Sequence, residues 1–186
     1  EKLLREEAPD IRMLVNGAGF GKSGTVEDIL EEDKTAQAEM IELNCTALSR
    51  ITFCCLPCLS RGSRIIQMAS AAAFSPQPSF AVYAATKAYV LSFSRSLRAE
   101  LKRRGIYVTA VCPGPVDTEF FRVSGELDNP LKKLVKVRPQ GVVRKALLDS
   151  RAGKDISVYG LPMKCAHAAS KLLPHRLILA FMGGKP

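Results

Sequence analysis

Tyr83 and Lys87 stand four residues apart in Tyr83-Ala84-Ala85-Thr86-Lys87. At helical spacing they share one face. A cation beside a phenol favours the phenolate and lowers its pKa from about 10 toward neutrality. Such a pair would make Tyr83 a general acid/base at physiological pH. Ser70 lies thirteen residues upstream, where a strand end would turn its hydroxyl toward the same point. Two small-residue turns accompany them, Asn16-Gly17-Ala18-Gly19 and Pro113-Gly114. Each residue also has a plainer reading. Tyr83 alone could be an amphipathic surface tyrosine, Ser70 a turn cap, Asn44 a mid-helix polar residue and Thr118 a helix cap.

Positioning these groups requires elements that the hydropathy pattern supplies. Ile11–Val15, Arg64–Ala69 and Ile106–Cys112 are short apolar runs ended by small residues, and they read as buried strands. Asp155–Tyr159 reads as a shorter fourth strand. Residues 33–59 and 81–104 carry helical spacing. The second ends in Lys102-Arg103-Arg104-Gly105, with cations suited to the helix dipole and glycine suited to the position after the last turn. Residues 21–24 continue the first glycine-rich loop. Alternating strands and helices predict an α/β fold with a parallel sheet covered on both faces. In such sheets ligands bind beyond the carboxyl ends of the strands. Ser70, Pro113-Gly114 and the Asn16–Gly19 turn all fall there.

Taken together, Ser70, Tyr83-x-x-x-Lys87 and Pro113-Gly114 resemble the signature of the short-chain dehydrogenase/reductase (SDR) family. Asn16-Gly17-Ala18-Gly19 resembles the family's Asn-Asn-Ala-Gly turn, with Gly17 replacing the second Asn. Asn44 and Thr118 match the family's helix asparagine and nicotinamide-amide threonine in position and context. The phrase Gly153–Gly160 with the basic apolar tail after it is similar to bacterial members. The resemblance implies a Rossmann-like sheet and NAD(P)-dependent interconversion of a carbonyl and an alcohol, with NADP or NAD as cofactor. By the same resemblance Tyr83 passes the proton, Lys87 binds the nicotinamide ribose and acidifies Tyr83, and Ser70 holds the substrate oxygen. Asn44 anchors a water behind Lys87. Asn16, Gly17 and Ala18 line the adenine-ribose side, and Pro113, Gly114, Val116 and Thr118 the nicotinamide.

The family's opening strand and phosphate-binding glycine turn have no counterpart here, since no G-x-x-x-G-x-G precedes Ile11. The expectation is a Rossmann-like sheet lacking its first strands, in a chain that is N-terminally incomplete and forms a single partial domain over 1–186. Such a chain would bind cofactor weakly by itself and would expose an apolar edge at Ile11–Val15.

The charge pattern narrows the partners. Net charge is +9, yet residues 1–130 hold 15 basic and 16 acidic side chains, a balance of −1. Residues 131–186 hold 12 and 2, a balance of +10. A nucleic-acid binder would need cations across its body, so that class is not expected. Six cysteines among largely apolar neighbours suit a reducing, cytoplasmic compartment. Cys55-x-x-Cys58 has no second pair or nearby histidine to complete a metal site, and no metal is expected. Residues 121–139 read as a polar, basic lid. Residues 161–186 read as a basic apolar tail broken at Pro174, able to cover the pocket, pack on a partner or lie on a membrane surface. Phe74 and Phe80, within a pocket lining over 71–82, favour a small apolar substrate. Leu48, Ile51, Phe53, Leu91, Phe93 and Leu97 could pack in the core or, as the resemblance implies, between subunits of a homodimer or homotetramer. The alternative from another class is a non-catalytic scaffold or binding protein that keeps the fold.

Overall fold

A computed structural model describes residues 2–120, 124 and 137–181. Its centre is a four-stranded, wholly parallel sheet in the order β1 (Ile11–Asn16), β2 (Leu59–Met68), β3 (Tyr107–Val111) and β4 (Ile156–Ser157). The expected α/β architecture is the one observed. The central strands bury near-continuous apolar runs, with Ile65, Val108 and Ala110 fully enclosed, as a sheet covered on both faces requires. β2 starts five residues earlier than the apolar run Arg64–Ala69 suggests. The Leu59–Ser63 stretch is polar, and pairing of Leu59 with Ile11 recruits it.

Helix α1 (Lys2–Glu7) precedes β1. Between the loop over residues 21–24 and the helix expected from residue 33 no element is expected, and α2 (Val26–Glu32) forms there. A reciprocal cap explains it: the Thr25 hydroxyl accepts from Asp28 N, and the Asp28 carboxylate accepts from Thr25 N, both at 3.1 Å. The helix expected over 33–59 is divided. Asp33 closes α2 and its carboxylate accepts from Thr35 N and Ala36 N, so α3 runs Ala36–Ile41. A π-helical segment, Glu42–Ala47, then leads into α4 (Leu48–Cys55). Helix α5 (Ala81–Leu101) continues as a single 3-10 turn to Arg104, and Gly105 takes the left-handed conformation at φ 69°. That is the stop the Lys-Arg-Arg-Gly sequence predicts. α6 (Pro139–Arg151) was not legible as an element and packs on β3 and β4. α7 (Leu161–Leu172) and α8 (His175–Phe181) flank Pro174, as expected. Most of the expected 121–139 lid lies outside the described residues. Its end is ordered by Val137, whose N–H donates to Pro115 O while its carbonyl accepts from Asp117 N.

Helix α5 is the main positioning element. It packs on β3, on β2 and on the 3-10 turn Ala71–Phe74 that follows β2. Val90, Leu97 and Leu101 fill the space over Ile65, Val108 and Ala110. β1 lies at the sheet edge, and Met13 and Val15 on one of its faces are 43% and 53% exposed.

Candidate active site

Beyond the carboxyl ends of the strands lies an apolar cavity of about 890 Å³. Ser70, Tyr83 and Lys87 all line it, so the structure brings together the three groups that sequence spacing singled out. Ser70 follows β2 and its hydroxyl accepts from Ala72 N at 3.1 Å, which starts the Ala71–Phe74 turn. Ala71 N donates to Pro113 O at 2.8 Å, tying the ends of β2 and β3 at one point. Tyr83 and Lys87 project from the first turns of α5. Lys87 Nζ donates to Met68 O at 2.8 Å and sits 5.7 Å from the Tyr83 ring centre.

The electrostatics correct one expectation. Burial pushes the Tyr83 hydroxyl up to about 12, and a hydrogen bond with the Ser70 side chain offsets part of that rise. Burial likewise pulls Lys87 down to about 8. The lysine therefore does not bring the phenol toward neutrality. Both side chains are nearly enclosed, at 7% and 5% exposure, and burial disfavours the charged form of each. Tyr83 holds its proton at neutral pH.

Asn44 is fully buried in the π-helical segment. Its Oδ1 accepts from Phe20 N at 3.1 Å, and its Nδ2 donates to Phe20 O at 2.8 Å and to Thr86 Oγ1 at 3.1 Å. It therefore clamps the loop after β1 to α5, one residue from Lys87. π-Bulges recur at functional sites because the widened turn re-aims a side chain. Close packing makes Gly19 necessary: a Cβ there would meet Asn44 Oδ1 at 2.8 Å and Lys87 Nζ at 3.3 Å. Gly17, by contrast, lines the cavity with open space where its Cβ would be.

Two residues expected on the adenine-ribose side do not line this cavity. The Asn16 side chain turns inward, and its Nδ2 donates to Thr52 Oγ1 at 3.0 Å and to Gln67 Oε1 at 2.9 Å. It braces β1 against α4 and β2, because an unpaired amide between a strand and a helix would be costly. Ala18 is exposed and does not line the cavity. Pro113, Gly114, Val116 and Thr118 do line it. Thr118 Oγ1 also accepts, at 3.4 Å, from Phe120 N, as a capping residue does.

The walls are aromatic on one side and aliphatic above. Phe80 stacks on Tyr83 with ring centres 4.3 Å apart, and Phe120 lies 5.4 Å from Tyr83. These three rings close on Gly21, where a Cβ would come within 3.0 Å of each. The roof comes from Met163, Ala166, Ala169 and Ser170 of α7, with Leu173 and Ile178. Met163 packs so tightly on Gly114 that a Cβ there would meet its sulfur at 2.5 Å. Sequence reading missed Gly21, Thr86, Phe120 and Met163. Thr86 carried a signal, since it adjoins Lys87, whereas Phe80 was among the expected lining residues. Met163 lies in the tail that could cover the pocket, pack on a partner or lie on a membrane surface, and the fold sets it over Pro113-Gly114. Among the described residues no His, Cys, Asp or Glu group could hold a metal ion.

Comparison with known proteins places this arrangement. The chain is 35% identical over 123 residues to sulfoacetaldehyde reductase of Chromohalobacter salexigens, an alignment covering 64% of this chain and 48% of that protein. It is 36% identical over 122 residues to very-long-chain 3-oxoacyl-CoA reductase of Anas platyrhynchos, covering 63% and 39%. The chain thus spans about half the length, or less, of these curated relatives. Among solved structures, a short-chain dehydrogenase from Burkholderia cenocepacia J2315 in complex with NADP superposes with a TM-score of 0.74 at 25% identity, covering 97% of this chain and 72% of that one. Residues 2–128 match the family model described as short chain dehydrogenase, so the chain belongs to the short-chain dehydrogenase family.

Proposed function

We propose that the chain carries the catalytic portion of an NAD(P)-dependent oxidoreductase that interconverts a carbonyl and an alcohol. The observation that carries this reading is the convergence of Ser70, Tyr83 and Lys87 at the floor of one apolar cavity. Ser70 would hold the substrate oxygen and polarise it. Tyr83, protonated at neutral pH, would donate its proton to a carbonyl oxygen as charge develops there. Lys87, close beside the ring, would supply positive charge and bind a ribose hydroxyl. Asn44 would act indirectly, by fixing the Phe20 loop against α5.

The residues present fit the nicotinamide half of NADP or NAD. Gly17 leaves open space at the cavity rim, and Pro113, Gly114, Val116 and Thr118 form its opposite wall. When bound, the cofactor supplies or accepts the hydride. The apolar lining favours a small apolar substrate. The two relatives named above act by name on chemically unlike substrates, so their specificity does not transfer. Ile51, Phe53 and Tyr89 form an exposed apolar face on α4 and α5, which suits a homodimer or homotetramer. The six unpaired cysteines support a cytoplasmic setting.

The test is a steady-state assay of the intact protein with NADPH or NADH against a series of apolar ketones and aldehydes. Turnover of nicotinamide absorbance that requires both Ser70 and Tyr83 is the expected result. Cofactor and ketone binding without turnover would favour a scaffold instead.

A further inference from the structure

We propose that the outward face of α7 and α8 docks on an anionic lipid surface, setting the cavity roof against the bilayer. The helices present two different sides. Met163, Ala169 and Ile178 face the cavity. Leu161, Lys164, Ala168, Lys171 and Leu172 follow helical spacing along the opposite, exposed side of α7. Leu161 and Leu172 are 73% and 83% exposed. Arg176 and Leu177 continue the same mixture onto α8, and both are exposed.

Charge identifies the occupant. No Asp or Glu follows Asp155, so every ionised side chain beyond it is cationic. Leucines entering the headgroup region while neighbouring lysine and arginine meet lipid phosphates is the geometry of an interfacial helix. A protein partner fits less well. Protein interfaces favour contiguous aromatic cores and are depleted in lysine, whereas this face interleaves single leucines with lysines and has no aromatic among the described exposed residues. The aromatic face of Phe53 and Tyr89, on α4 and α5, has the opposite character. Among the described residues no helix is long and apolar enough to cross a membrane, so the contact is with the surface. Docking would also bring lipid next to the roof, so an apolar ligand could pass from bilayer to cavity. That consequence rests on the oxidoreductase reading, whereas the docking does not.

The test uses the chain alone, without cofactor, against vesicles of phosphatidylcholine and of an equimolar mixture with phosphatidylglycerol, read by co-sedimentation. Binding to the mixed vesicles only, weakened by salt, is expected. Lys171→Glu with Arg176→Glu should lower affinity about tenfold or more, and Leu172→Ser with Leu177→Ser should weaken it while the helical circular dichroism stays unchanged. Equal binding to both vesicles, or no binding by a chain with an intact helical spectrum, would overturn the proposal. So would leucine variants that change the oligomer mass by light scattering and leave vesicle binding intact, since the face would then join copies of the chain.

Discussion

Lys87 lines the cavity floor, Asn16 and Asn44 are buried in the elements around it, and all three hydrogen-bond named partners in other elements. Along the roof, α7 and α8 are joined to the body by Met163, by the tilted ring pair Phe74–His167 at 4.5 Å, and by aliphatic contacts. The floor is over-determined, and among the described residues only Ser150 Oγ is a buried side-chain atom without a hydrogen-bond partner. The roof is held by packing that is weakly directional. A chemical step needs groups fixed to within a fraction of an ångström, whereas a cover need only exclude water and let ligand pass. On the proposed function, the difference in construction follows the difference in task.

The contrast is sharpest at Tyr83. Tyr83→Phe in the intact protein should cut turnover by about 10²–10⁴-fold while cofactor affinity measured by fluorescence stays unchanged. Unchanged turnover would remove the proton-transfer role. Next comes Asn44→Ala, which strands buried groups of Phe20 and Thr86. A loss of about 2–4 kcal/mol in denaturant unfolding is expected, from about 1–3 kcal/mol for each unsatisfied buried group. Asn16→Ala should cost about half as much by the same measure, because Gln67 and Thr52 still bond each other at 3.1 Å.

Titration gives a smaller, graded effect. Lys87 is lowered to about 8, so its charge is present below that pH and lost above it. Carbonyl reduction should therefore decline as pH rises past about 8, and Lys87→Met should abolish the inflection along with most activity. The stability consequence has the opposite sense. Between about 8 and the ordinary lysine value of 10.5 the unfolded chain binds the extra proton, so stability should rise with pH across that window. The smallest effect belongs to the roof. Leu172→Ser should change unfolding free energy by about 0.5 kcal/mol or less, as exposed substitutions do. A larger loss would show that the roof is built like the floor.

Much of the fold was legible because its signals are local. The Arg64–Ala69 and Ile106–Cys112 runs are apolar at strand length, and the Lys-Arg-Arg-Gly stop ends α5 where capping chemistry requires. α2 was not expected although Thr25 and Asp28 spell its capping box, because the helix is only seven residues long and directly follows a glycine-rich loop. The π-helical segment within residues 33–59 was not legible. Of the faces expected to pair subunits, Leu48 and Leu97 lie in the core, while Ile51 and Phe53 are exposed. Helical periodicity alone does not separate those two fates.

By itself the sequence determined which groups could do the chemistry and in what order they occur: Ser70 at a strand end, Tyr83 and Lys87 on one helix face, glycines where backbone must come close. Those depend on residue type and short spacing. Tertiary structure alone decided how tightly Tyr83 and Lys87 hold their protons, that Asn16 braces strands, that Asn44 clamps a loop, and that α7 roofs the cavity. Each of these depends on burial and on partners tens of residues away, where desolvation from many elements sums at one atom and no local pattern records the total.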